Sequence, residues 1–295
     1  MAAFTASIDK INKFQQQRRF LGFVFAVIKK YSDDNAGKQA ALLTYYAFLS
    51  VFPLLLILVT ITDVLWGSHS TLRDDIIHDV TSYFPLLGNQ LSQNIHRLHS
   101  TGITLVVGLL FTLYGVRGVA SVFRTGVQDI WQIPENERDK FPETLLKSLV
   151  VVVVGGLGFI LASVISGAAS DVSGDHDFRI VPILINIFLL FWLFNFLISF
   201  NLPRHIPYKK TWEGALVAAV GLVILQSLGA ILLGRELKRL DALYSYFAVA
   251  LGLMFWLYLQ AQVLYYSFEI AVVKAYKLYP VNLKSKPKEI PRSLP

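Results

Sequence analysis

Cysteine is absent from this chain of 295 residues. Its absence excludes disulfide bonds, zinc–thiolate centres and cysteine nucleophiles. Charged residues are scarce, at 16%, whereas hydrophobic residues make up 54% and the mean hydropathy is +0.53. Ordinary soluble domains carry about 25% charged residues, so this composition indicates a membrane protein.

The sequence also lacks the motifs of several enzyme classes. It contains neither a glycine-rich nucleotide-binding fingerprint of the P-loop or Rossmann type nor a His-Glu-x-x-His zinc motif. We therefore expect no catalytic residue, no metal and no cofactor.

The chain contains several long apolar runs. Residues 40–62 form a run of 23 residues without a charge, and a helix of that length crosses a hydrocarbon core of about 30 Å. Five further apolar runs follow at 102–123, 149–169, 180–202, 214–233 and 247–268. The sequence predicts an all-α polytopic membrane protein with six transmembrane helices and amphipathic interfacial helices.

The segments between these runs predict three regions. Residues 1–39 are expected to form a cytoplasmic segment with an interfacial helix at 20–28, and 40–273 the six-span membrane domain. Within that domain, residues 63–101 predict an outer cap of two amphipathic helices, and residues 274–295 form a basic cytoplasmic tail. Asp33, Asp34 and Asn35 offer capping groups for the first span.

The positive charges predict the orientation. With both termini in the cytoplasm, 21 of the 27 Lys and Arg residues fall in inner segments. The net charge of +7 is then explained by insertion and by attraction to anionic lipid, so nucleic acid is not an expected partner.

Five ordered stretches carry a resemblance to a known family. The stretch AALLTYYAFLSVFPLL at 40–55 resembles the first-helix signature of the YihY/BrkB family of bacterial inner-membrane proteins. The other four are LYGVRG at 113–118 continuing to Ile130 and Trp131, LPR at 202–204, WEGA at 212–215, and the stretch from Tyr246 to Glu269. The resemblance covers roughly residues 20–275 and implies six spans and an inner-membrane location.

The family also carries an older label, ribonuclease BN, which the residues do not favour. A metal-dependent nuclease needs clustered histidine and carboxylate ligands, and His205 is the only histidine predicted to lie in the cytoplasm. The other five histidines lie in predicted outer loops. There Asp74, Asp75, His78 and Asp79 have i, i+3, i+4 spacing, and His96 and His99 would share a helix face. We interpret that outer cluster as a solvated polar face, with a metal or pH-sensing site as the alternative.

Polar residues inside the predicted spans are the candidate functional residues. An arginine at the centre of a span costs about 2.5–3.5 kcal/mol, so Arg117 is expected to find a counter-charge. We predict that Glu269 pairs with Arg117, or with Arg124 if depth in the membrane decides. The remaining candidates are Tyr258, Gln262 and Tyr265, which share a helix face with Glu269, together with Asn195, Ser199 and Tyr45. A purely structural ion pair and interhelical hydrogen bonds stay open as alternatives.

These residues predict a polar bundle interior that passes a solute or a lipid-like amphiphile. The alternative is an envelope-organising or virulence-associated membrane protein that transports nothing. A continuous polar cavity would favour the first function, and a dry, solid interior the second. Membrane lipids are the expected partners, and a homo-oligomer is left open.

Overall fold

The computed structural model describes residues 12, 18–66, 102–140, 143–172, 180–203, 206–236, 242–283 and 285. Within these ranges the chain forms seven α-helices and two short 3-10 turns, at Glu135–Glu137 and Tyr208–Lys210, and no strand. The helices are α1 (Arg19–Asp33), α2 (Ala36–Trp66), α3 (Gly102–Ile130), α4 (Glu143–Val172), α5 (Ile180–Phe200), α6 (Trp212–Glu236) and α7 (Ala242–Ala275). The all-α class is confirmed.

Helix α1 and the junction after it differ from the prediction in one respect. The junction turns at Asn35, whose φ of 53° lies in the left-handed region that asparagine tolerates. Asp33 and Asp34 were expected to cap the next helix, but their carboxylates pair with Lys29 and Lys30 one turn earlier. The i, i+4 spacing brings each pair together on the surface of α1.

The six predicted spans fall within helices α2 to α7, and only residues 201–202 of the fourth run lie beyond a helix end. By length and composition alone, two described segments pass as membrane spans: Ile180–Phe200, with a mean hydropathy of 2.4, and Trp212–Gly229, with 1.5. The predicted outer cap lies almost wholly outside the described residues, as do His205 and the outer histidines.

Helices α2 to α7 pack in a closed ring. Each helix contacts the next along the chain, and α7 returns to pack against α2. Helix α1 lies outside the ring against α7 and, over a smaller area, α2. The largest hydrophobic core runs through the described parts of this ring. The ring therefore places residues far apart in sequence around one interior.

Glycines set the closest helix contacts. A Cβ atom at Gly214 in α6 would lie 2.5 Å from the Ser267 carbonyl oxygen of α7, too near for any other residue. Further along α6, a Cβ atom at Gly221 would lie 2.7 Å from Val263. Gly214 and Gly221 thus face α7, where the absence of side chains lets the two backbones approach.

Replacing Gly214 by alanine tests this contact. We expect Gly214→Ala to lower the free energy of unfolding by about 1–3 kcal/mol, because the backbone of α7 must move to admit the methyl group. The matched control is Gly156→Ala in α4, where nothing lies within 4 Å of the added atom. Thermal unfolding in detergent should show a loss for the first variant and a neutral or small stabilising effect for the second. Equal effects would contradict the close contact.

Candidate functional site

The interior of the ring contains a chamber of about 370 Å³. Residues of all six ring helices line it, with α2, α3, α4 and α7 supplying most of the wall. Representative lining residues are Leu43 and Val51 of α2, Val116 and Phe123 of α3, Gly156 of α4, Leu197 of α5, Leu222 of α6 and Leu257 of α7. Its volume falls in the range of about 300–1,000 Å³ that is typical of pockets for small molecules.

The chamber wall is mostly apolar, and its few polar groups are largely satisfied. Thr44 donates a hydrogen bond to the Ala40 carbonyl at 2.8 Å, and Ser50 to the Ala47 carbonyl at 2.9 Å. Both hydroxyl groups are therefore bonded to their own helix. Among the lining residues that the structure describes, Gln260 is the remaining uncharged polar side chain, and none is charged. This wall differs from the polar interior that the sequence led us to expect.

An aromatic layer closes one end of the chamber. The ring of Phe268 packs edge to face against Phe123 and Tyr265, at centroid distances of 5.4 and 5.5 Å respectively. The Tyr265 hydroxyl is fully buried and donates a hydrogen bond to the Val122 carbonyl at 3.2 Å. Gly126 makes room for this ring, since a Cβ atom there would lie 2.3 Å from the hydroxyl oxygen.

A buried charge cluster lies beyond the aromatic layer. The Lys30 ammonium of α1 contacts the Asp34 carboxylate, lies 3.1 Å from Oε2 of Glu269 in α7, and donates a hydrogen bond of 2.8 Å to the Ile130 carbonyl of α3. Glu269 is five residues past the last chamber residue of α7, and Ile130 seven past that of α3. At 1.5 Å per residue, the cluster lies about 7–10 Å below the chamber.

Tyr31 reinforces the contact between α1 and α7. Its hydroxyl donates a hydrogen bond to Oε1 of Gln262, and its ring stacks on Tyr266 at a centroid distance of 4.1 Å. Burial raises the pKa of Tyr31 to about 12, so the hydroxyl remains a donor at physiological pH. Burial also raises the pKa of Asp34, and the neighbouring Lys30 ammonium offsets this only in part.

The structure does not bring Arg117 and Glu269 together. Arg117 is exposed on the surface of α3 and forms no ion pair with any residue in the described ranges. Arg124 is buried, but it bonds to the Asp139 carboxylate at 3.0 Å, the Thr144 carbonyl at 2.7 Å and the Ser148 hydroxyl at 3.1 Å. It therefore fixes the connection between α3 and α4, and Lys30 takes the place beside Glu269.

The other candidates separate into three groups. Asn195 accepts a hydrogen bond of 2.6 Å from Thr211, whose hydroxyl lies 2.8 Å from that of Ser199, so these residues join α5 to the start of α6. On α7, Tyr265 directly follows the last chamber residue, whereas Tyr258 and Gln262 lie at the level of the chamber without lining it. Tyr45 is half-exposed on α2 with its ring against Tyr46.

Sequence reasoning missed Lys30, Tyr31 and Asp34. It placed an interfacial helix at 20–28, whereas the helix extends to Asp33 and Lys30 turns toward the bundle. One signal in the sequence could have found them. Lys29 and Lys30 precede Asp33 and Asp34 by four residues, so two ion pairs are predicted on adjacent faces of the helix. On an amphipathic helix, one of those faces packs inward. Within the described ranges, no group of three or more His, Cys, Asp and Glu residues is placed to hold a metal ion.

Comparison with known proteins places the chain in a family. The model of the family described as "Virulence factor BrkB" matches residues 27–290. The chain belongs to the BrkB family. This BrkB-family membrane protein is 23% identical to the inner membrane protein YhjD of Escherichia coli over 284 residues, covering 88% of this chain and 81% of the relative.

A second relative of the BrkB-family chain is a UPF0761 membrane protein of Albidiferax ferrireducens. It is 22% identical over 252 residues, which cover 78% of this chain and 56% of the relative. No solved structure matches the chain.

Two of the glycines in the LYGVRG stretch now have a structural reason, because a Cβ atom at Gly115 or Gly118 would collide with Ser50 or Tyr46 of α2.

A double-mutant cycle tests which cation is coupled to Glu269. We expect Lys30→Met and Glu269→Gln to be non-additive by about 0.5–3 kcal/mol, because each side chain changes the electrostatic environment of the other. Lys30→Met alone should destabilise strongly, since it leaves two buried carboxyl groups without their cation. Unfolding in detergent is the readout.

Arg117 provides the matched comparison for this cycle. Arg117→Gln and Glu269→Gln should add within about 0.5 kcal/mol, because the two groups do not touch. Coupling of Glu269 to Arg117 rather than to Lys30 would show that the cluster described above does not form.

Proposed function

We propose that this chain is a six-span protein of the bacterial inner membrane that binds a lipid-like amphiphile and moves it across the bilayer. The apolar part of that molecule would occupy the chamber. The observation that carries the proposal is the chamber itself, which is large, central and lined almost entirely by apolar side chains. A lipid chain that enters such a site from the bilayer passes from one apolar medium to another, so it pays no desolvation cost and is held by close packing against the wall.

The chemistry of the wall argues against an ion or a small polar solute. Moving an unpaired polar group into an apolar site costs several kcal/mol unless the wall supplies hydrogen bonds. Thr44 and Ser50 already use their hydroxyl protons within α2, so Gln260 remains as the main polar partner. One amide suits the polar end of a mostly apolar molecule better than the whole surface of a hydrated solute.

Helices α3 and α4 offer the route of entry. Gly156 of α4 belongs to the chamber wall, is exposed, and has nothing within 4 Å of the position of a Cβ atom. On α3, Val116 lines the chamber while its neighbour Arg117 is exposed. An amphiphile entering between these helices would place its chain inside and an anionic headgroup near the Arg117 guanidinium, which suits carboxylate or phosphate.

The topology and the expected partners complete the proposal. Both termini lie in the cytoplasm, and α2 to α7 are the six crossings, as the distribution of lysine and arginine predicts. Membrane lipids are the partners. The chain works without a catalytic residue, a cofactor or nucleic acid.

Reporter fusions test the topology. Green fluorescent protein fused after Pro295 should fluoresce, because that terminus is cytoplasmic. Alkaline phosphatase inserted near Asp175 should be active, because it folds only in an oxidising compartment outside the inner membrane. The exchanged fusions serve as controls, and the opposite pattern at both sites would overturn the orientation.

Filling the chamber tests the binding site. The Gly156→Leu variant should fold, because the site has free space, yet its side chain should occupy volume that the ligand needs. We expect lipid extracted from the purified wild-type protein and measured by mass spectrometry to include a stoichiometric amphiphile that Gly156→Leu has lost.

The matched control is Val153→Leu, an exposed position of the same helix that does not line the chamber. This variant should keep the amphiphile. Identical lipid content in all three proteins would contradict binding in the chamber and would favour the envelope-organising role.

A further inference from the structure

The charge cluster below the chamber holds one cation and two acids. The Lys30 ammonium is shared by the carboxyl groups of Asp34 and Glu269. Glu269 is fully buried, and the side chains of Lys30 and Asp34 are only 10% and 12% exposed. If all three groups were ionised, a net charge of −1 would be buried where water cannot solvate it, which is strongly unfavourable.

The described surroundings of the cluster supply no second cation. Asp33 and Tyr31 from α1 and the Ile130 carbonyl from α3 face the cluster, and Tyr258, Gln262 and Tyr266 of α7 lie around the Tyr31 side chain. Among these, Asp33 is neutralised by Lys29 at 2.5 Å. No other lysine or arginine of the described ranges lies within ion-pair distance of Asp34 or Glu269.

Glu269 has a second unusual feature. Neither of its carboxylate oxygens accepts a hydrogen bond of good geometry within the described part of the protein, and the Lys30 ammonium lies 3.1 Å from Oε2. A buried ionised carboxylate normally accepts several hydrogen bonds. The Glu269 carboxylate is therefore poorly stabilised as an anion. A bound proton would remove its negative charge and with it the need for these hydrogen bonds.

We propose that Asp34 and Glu269 form a proton-binding site that holds one proton between them and controls how firmly α1 docks on α7. With the proton bound, the cluster is neutral and the Lys30, Tyr31 and Glu269 contacts tie the two helices together. When the proton leaves for water, two carboxylates compete for one ammonium and repel each other. Such interacting acids titrate as a pair rather than singly.

The direction of the pH effect follows from linkage. Burial raises the pKa of Asp34, so the folded chain binds its proton more tightly than the unfolded chain does. The stabilisation is complete below the ordinary carboxyl pKa of about 4 and is lost as the pH rises through the higher value of the folded chain. Docking of α1 therefore weakens as the pH rises. The proposal does not depend on what the chamber binds.

Infrared spectroscopy of the purified chain in lipid can detect the proton directly. We expect the carbonyl stretching band of a neutral carboxylic acid near pH 6, and its loss as the pH rises to about 9, since exposed carboxyl groups are already ionised over this range. Asp34→Asn and Glu269→Gln each leave one acid with Lys30 and should abolish the band. The matched control Asp33→Asn should retain it.

The same spectra can overturn the proposal. Absence of the band in the wild-type chain, or its persistence in both Asp34→Asn and Glu269→Gln, would show that the pair binds no proton. Because both substitutions remove the excess buried charge, neither is expected to prevent folding.

The docking part has its own readout. The chain has no cysteine, so a spin-label pair at Ile28→Cys on α1 and Phe255→Cys on α7, both exposed, needs no background substitution. We expect the distance distribution to lengthen and broaden from about pH 6 to 9. Glu269→Gln should remove this change, and Asp33→Asn should not. A distance that is independent of pH, or equally dependent on it in Glu269→Gln, would refute the control of docking.

Discussion

The Lys30 ammonium is the contact on which the α1 end of the bundle depends. It joins three helices at once, because it contacts Asp34 beside its own helix, Glu269 of α7 and the Ile130 carbonyl at the end of α3. Long-range salt bridges of this kind are sensitive to the loss of either partner, since the remaining charge is buried. A single side chain from a helix outside the ring thus fixes the relative position of two helices within it.

Above that contact, the interior changes from charged to aromatic and then to apolar. Phe123, Tyr265 and Phe268 separate the cluster from the chamber. The layering keeps the carboxyl groups away from any apolar ligand and leaves the chamber lined mostly by apolar side chains. Close packing at Gly214, Gly115 and Gly118 holds the neighbouring helices together, so the chamber is not removed by collapse of the ring.

Sequence reasoning recovered the helices because each depends on a local property. Apolar runs of about 20 residues located α2 to α7. The partner of Glu269 was missed because pairing is a tertiary property. Arg117 faces outward, while Lys30 reaches Glu269 from a helix that was assigned to the interface. The chamber could not be predicted, since its shape depends on the packing of six helices.

The central claim is that the chamber holds the apolar part of a membrane amphiphile. The most direct measurement is a cryo-electron microscopy structure of the wild-type chain in nanodiscs formed with bacterial membrane lipids. The account predicts elongated density that enters between α3 and α4, fills the chamber and stops at Phe123 and Phe268. A chamber occupied by ordered water, or closed by contact of Val116 with Gly156, would contradict it.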